Sequence, residues 1–169
     1  MKKVWLVPLL LAGSACSSAP TMRTFAVATE KLPPTMLVLG YEMRTPDHFT
    51  NGSTCDLYLY NRDQDATYRV QITPPQGRLF AQVPAGGSYI ERLYCHRGAH
   101  WTFFRAPWTR MSIRAGKINH SGKLLLSENE HHDLSAGLQP AGKDDVQFLA
   151  HELAASQRGR VIALGPSAK

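Results

Sequence analysis

Between Met36 and Leu126 turn signals recur about every 8 to 12 residues, a spacing that leaves room for strands and little for helices. Met36–Met43 reads as a first strand, and a loop follows over Thr45–Ser53, where Pro46 and Asn51-Gly52 are turn residues. Cys55–Tyr60 is dense in aromatic and aliphatic side chains. After the polar turn Asn61–Ala66, Thr67–Ile72 alternates strictly. Tyr68, Val70 and Ile72 fall on one face and Arg69 and Gln71 on the other, so the two runs predict a hairpin. Further short strands are expected at Leu79–Val83, Ser88–Cys95, Trp101–Phe104, Met111–Arg114 and Lys123–Leu126. Pro74–Gly77, Pro84–Gly87, His96-Arg97-Gly98, Pro107 and Ala115–Lys117 divide them. Many short strands of this kind predict an all-β sandwich or barrel, and we read this chain as a single sandwich.

The C-terminal part changes period. Over Asp144–Gln157, Val146, Leu149, Ala150 and Leu153 recur at helical spacing. Asp144 and Asp145 suit the start of one helix and Gly159 its end. Its apolar stripe is expected to pack on the sheet. Val161–Leu164 could then add an edge strand.

The N-terminus speaks of location. Met1-Lys2-Lys3 is positive, Val4–Ala12 is apolar apart from Pro8, and Gly13-Ser14-Ala15-Cys16 is small. This is the layout of a secretory signal peptide, and the run is shorter than the roughly 20 residues a membrane span needs. Leu11-Ala12-Gly13-Ser14-Ala15-Cys16 resembles a bacterial lipobox, with Gly13 in the place usually held by leucine. The resemblance implies removal of residues 1–15 and lipid (diacylglycerol, then palmitate) on Cys16. Ser17 implies sorting to the outer membrane, facing the periplasm. Ordinary secretion to the periplasm, with cleavage after Ala15 or Ala19, is the rival reading. Residues 16–34, interrupted by Pro20, Pro33 and Pro34, are expected to form a loose tether, leaving 35–169 as the folded domain.

The chain has three cysteines, and an odd number needs explaining in an oxidising compartment. Lipid on Cys16 leaves Cys55, which starts a strand, and Cys95, which ends one. These two are expected to form a disulfide. A redox role fits poorly, because redox pairs typically sit at Cys-x-x-Cys spacing.

The formal charge falls from +6 to +4 once Lys2 and Lys3 leave with the signal, and the arginines are scattered. Nucleic-acid binding would want clustered basic residues on a known scaffold. The seven histidines offer no metal motif: His131-His132-Asp133 are neighbours on one loop, and Gly98 separates His96 from His100. Gly-x-Ser-x-Gly is absent, and Ala85-Gly86-Gly87 lacks the Lys-Ser/Thr of a phosphate loop. No catalytic residue, metal or cofactor is implied. The aromatic segment Trp101, Phe103, Phe104, Arg105 and Trp108 is the candidate binding patch, with core packing as its ordinary alternative.

Two segments carry a fold resemblance. Val83-Pro84-Ala85-Gly86-Gly87-Ser88-Tyr89 resembles the Pro-x-Gly-x-Tyr turn of transthyretin-like and carboxypeptidase-regulatory-like sandwiches. Ile113–Leu124 is similar to a segment of small bacterial lipoproteins built on such sandwiches, with His120 where tyrosine is usual. This implies an immunoglobulin/transthyretin-like sandwich and carries over no catalytic residue. The functional expectation is a non-catalytic envelope lipoprotein, a binding or assembly module whose partners are the membrane and an envelope protein or glycan. An envelope hydrolase acting on glycan or peptidoglycan is the alternative. A cleft lined by Asp, Glu or His would favour it.

Overall fold

The computed structural model describes residues 19–25, 32–44, 54–97, 100–105, 110–128 and 134–164. The strands are β1 (Met36–Arg44), β2 (Thr54–Asn61), β3 (Ala66–Ile72), β4 (Gln76–Gln82), β5 (Gly86–Arg97), β6 (His100–Arg105), β7 (Arg110–Ile113), β8 (Ile118–Glu128), β9 (Leu134–Gln139) and β10 (Val161–Ala163). Two helices, α1 (Lys143–Glu152) and α2 (Ala155–Arg158), lie between β9 and β10. One five-stranded sheet, sheet I, runs β10-β8-β1-β4 with β9 also on β8; the other, sheet II, runs β3-β2-β5-β6 with β7 also on β5. This is an all-β sandwich with a small C-terminal helical segment, as the turn spacing predicts.

The interior forms where alternation points apolar residues inward. Leu37 and Leu39 of β1, Leu57 and Leu59 of β2, Val70 and Ile72 of β3, and Ile90 and Leu93 of β5 belong to one buried cluster. The expected β2–β3 hairpin is present, with Leu57 opposite Val70. Met36 and Val38 face the other way and meet Phe80, Ile118, Leu149, Leu153 and Val161 in a second cluster, so α1 covers the outer face of sheet I.

Strand β8 serves both clusters through a β-bulge. Val38 pairs with His120 but Leu39 pairs with Gly122, so Ser121 is the extra residue. Before it Ile118 faces α1; after it Leu124 and Leu126 face the interior, although all three positions are even-numbered. Asn119 fixes the approach. Its side-chain amide donates to the carbonyls of Met36, Arg114 and Lys117 at 3.0 to 3.1 Å, and its Oδ1 accepts from Arg114 N–H at 2.9 Å.

Three expectations are corrected. The predicted strand Lys123–Leu126 is only the second half of β8, because the bulge breaks the alternation. The single helix 144–157 is two: Leu153 and Ala154 are extended, Leu153 is buried in the second cluster, and the chain turns back to lay β10 beside β8. The loose tether 16–34 is in part a docked strap. Thr21 bridges Arg69 of β3, Thr24 bridges Ala81 of β4, and Met22 is 6% exposed in the interior cluster. Four backbone hydrogen bonds hold the strap: Met22 N to Arg69 O, Arg69 N to Pro20 O, Phe25 N to Phe80 O and Gln82 N to Arg23 O. The strap satisfies edge groups of both sheets at their seam, which would otherwise face solvent unpaired. Leu32 is likewise buried, under α1.

Candidate functional site

The apolar half of the outer face of sheet I lies under α1, and the polar half stays open. Continuing the alternation past Met36 and Val38 puts Gly40 and Glu42 on that face, beside Arg78 and Gln76 of β4 and His120 and Lys123 of β8. Asp145 and Glu152, near the two ends of α1, flank Leu149 and overhang the sheet. Together these residues line a cleft of about 580 Å³, completed by Gln139 and Pro140. That is the size of a small-ligand site.

Glu42, Lys123, Arg78 and Glu152 of the cleft are in ion pairs. Glu42 accepts from Arg44 Nε at 2.8 Å and from Lys123 Nζ at 3.2 Å. These hydrogen bonds, Arg44 first, hold the Glu42 carboxyl below the usual carboxylate range. Arg78 pairs with Glu152 and lies 5.7 Å from the ring of Phe148, which is 58% exposed. Asp145 accepts the Gly142 N–H at 2.7 Å, closing the first turn of α1.

His120 lies deepest, 7% exposed. Burial pushes its imidazole below the usual range; Asp145 pulls it back up, Arg78 pushes it down and the Val38 carbonyl favours the protonated ring. Gly122 N–H donates to Nδ1 at 3.2 Å. The neighbouring Ser121 hydroxyl donates to the Val38 carbonyl at 3.1 Å. It is thus committed to the sheet. The cleft offers both signs of charge and a neutral imidazole for binding.

The cleft draws on β1, β4, β8 and α1, and none of the site residues expected from the sequence lies in it. Cys55 and Cys95 stand directly opposite each other on β2 and β5. Trp101, Phe103, Phe104 and Arg105 fall on β6, in register with His96, Tyr94, Leu93 and Arg92 of β5. Cys16, Trp108 and His131-His132-Asp133 lie outside the described residues. Among the described residues no three His, Cys, Asp or Glu side chains are grouped to hold a metal ion. No helix among the described residues is long and apolar enough to cross a membrane. No protein family, curated protein or solved structure matches the chain.

Proposed function

We propose that the protein is a non-catalytic lipoprotein of the bacterial outer membrane. Residues 1–15 are its signal, Cys16 carries the lipid, and a Cys55–Cys95 disulfide staples the sandwich. It acts as a binding or assembly module in the envelope, taking a polar envelope ligand such as a glycan or peptidoglycan fragment in the sheet I cleft. The aromatic run on β6, an edge strand, is the second place where a partner would engage.

The observation that carries binding over catalysis is the pairing inside the cleft. Glu42 is held ionised by two cations, the wrong direction for a general acid, and Ser121 is turned into the sheet. The disulfide is supported by the register: directly opposed antiparallel residues have Cα atoms about 4.5 to 5.5 Å apart, within the range a disulfide spans. The convergence of His120, Asp145, Glu152 and Glu42 favours the second reading, an envelope hydrolase.

Three measurements test these readings. Intact mass and membrane fractionation of the wild type beside Cys16→Ala read the anchor; an unmodified soluble product overturns it. Thermal shifts with purified muropeptides and envelope glycans read the cleft. A ligand at a hundredfold its dissociation constant should add about 2.7 kcal/mol, lost in Arg78→Ala/Lys123→Ala. Mass analysis of the recovered ligand decides the alternative: cleavage that His120→Gln abolishes makes the protein an enzyme.

A further inference from the structure

The strap determines how the sandwich must sit if Cys16 is anchored, and this inference rests on that reading. The strap runs parallel to β3 and antiparallel to β4, so the chain before Pro20 leaves toward the end of the sandwich that carries the β2–β3 turn. Only four peptide steps connect Cys16 to Pro20, whose carbonyl is fixed to Arg69. Fully extended they span at most about 14 Å. A lipid at Cys16 therefore holds this end of the domain close to the headgroups and leaves no long leash.

The same end is basic. The strand register gathers there the turns 61–66, 83–86 and 114–117, together with the start of β10. Arg62, Arg114 and Arg158 are exposed and Lys117 and Arg160 are half-buried, with Arg23 exposed on the strap. The acids among them are Asp63, which accepts the Gly87 N–H at 3.0 Å, and Asp65, which accepts from Tyr60 Oη at 2.5 Å. The cations thus outnumber the acids. Arg160 is held by the Pro33, Pro34 and Gly116 carbonyls and Arg158 Nε by the Leu153 carbonyl, which leaves Arg62, Arg114 and Arg23 as the exposed ones with no such tie among the described residues. At the far end Asp56 and Glu42 are each paired with a cation.

We propose that this basic end docks on the anionic phospholipid headgroups of the membrane that holds Cys16, so that the domain stands end-on. Basic side chains near an anionic bilayer are attracted over about one Debye length, and the short connection keeps them within that distance. The turns 61–66 and 114–117 then form the membrane face, and β9 and the far ends of β2 and β5 face the periplasm.

The test is amide hydrogen exchange on the purified full chain in two sets of vesicles. One is phosphatidylethanolamine with phosphatidylglycerol; the other is phosphatidylcholine alone. The expected result is slower exchange over 61–66 and 114–117 in the phosphatidylglycerol vesicles, by several-fold, with Ser135–Leu138 unchanged. High salt and Arg62→Glu/Arg114→Glu should each remove the protection, and Arg44→Glu, at the far end, should not. Equal exchange in both vesicles, or protection confined to β9, overturns the docking. Intact mass on the same sample reads the anchor separately: lipid present with no protection refutes the docking alone, whereas lipid absent refutes the anchor and the end-on geometry with it.

Discussion

A three-glycine series measures how firmly the cleft wall is held. At Gly122, φ is +101, and a Cβ would lie 2.0 Å from the Gln139 carbonyl oxygen, 2.6 Å from Ala141 N and 2.7 Å from the Pro140 carbonyl carbon. All three are backbone atoms of the connection that feeds α1, so no side-chain rotation relieves the overlap. Gly116 isolates the conformational part: φ is +71, and nothing lies within 4 Å of a Cβ. Gly137 has neither problem, since its space is open and its φ is not positive. Gly137→Ala should change stability by no more than about 0.5 kcal/mol, in the stabilising direction if at all, because alanine loses less backbone entropy on folding. Gly116→Ala should cost about 1 to 2 kcal/mol for a left-handed alanine. Gly122→Ala combines backbone strain of about 1 to 3 kcal/mol with a similar cost for displacing packed backbone, giving about 2 to 6 kcal/mol. Against a total of about 5 to 15 kcal/mol that is a large fraction. Urea unfolding with a shared m value ranks the three. A Gly122→Ala protein no less stable than Gly116→Ala would refute the reasoning, because the β9–α1 connection would then not be seated on the bulge.

Other expectations follow from the same contacts. Asn119→Asp turns a donor toward the Met36, Arg114 and Lys117 carbonyls into an acceptor, and at about 1 to 3 kcal/mol per orphaned group it should cost at least 3 kcal/mol in urea unfolding. Leu149→Ala, at a fully buried site, should cost about 2 to 5 kcal/mol by the same assay, while Phe148→Ala next to it stays within about 1 kcal/mol. Since burial lowers the His120 pKa in the fold, the unfolded chain binds the proton first. Stability should therefore fall as pH drops below about 6.5 and level off below the folded-state value, and His120→Gln should flatten that part of a melting-temperature profile. Reduction should destabilise the wild type by up to about 4 kcal/mol and leave Cys55→Ala/Cys95→Ala unchanged, and an equal response of the two proteins would count against the disulfide.

Local alternation made most of the sandwich legible. Thr67–Ile72 shows its two faces without help from the rest of the chain, and of the face read as Tyr68, Val70 and Ile72 the last two are buried and Tyr68 is partly buried. What the sequence hid were the places where long-range contacts change the rule. In Ile118–Leu126 a two-residue period reverses its phase at Ser121, so a fixed-phase reading sees only Lys123–Leu126. Strand β9, with Gly137 in its middle and two serine- or glycine-separated leucines, has a weak pattern; its hydrogen bonds to β8 supply the order. The strap looks like a linker by its prolines, yet Met22 finds an interior site and its neighbours pair with both sheets across a seam about 50 to 60 residues away in sequence.

The cleft was the least legible feature, for a related reason. Its floor comes from β1, β4 and β8 and its overhang from α1, and no short window holds more than a few of its residues. The one local sign was His120-Ser121-Gly122, where a histidine is followed two places on by a glycine. The structure explains that triplet as a unit. Ser121 is the inserted residue, Gly122 takes the positive φ that brings the strand back into register, and His120 is left on the outer face just before the phase reverses. Without the bulge, Leu124 and Leu126 would join His120 on the outside and the interior would lose both; with it, one strand supplies the core and a polar cleft in succession. The site is therefore tied to the fold's stability at Gly122 and Asn119, while His120, Arg78, Lys123 and Glu42 can vary with the ligand. Substitutions at the first pair should cost the domain a large fraction of its stability. Those at the second group should change binding and leave the sandwich intact.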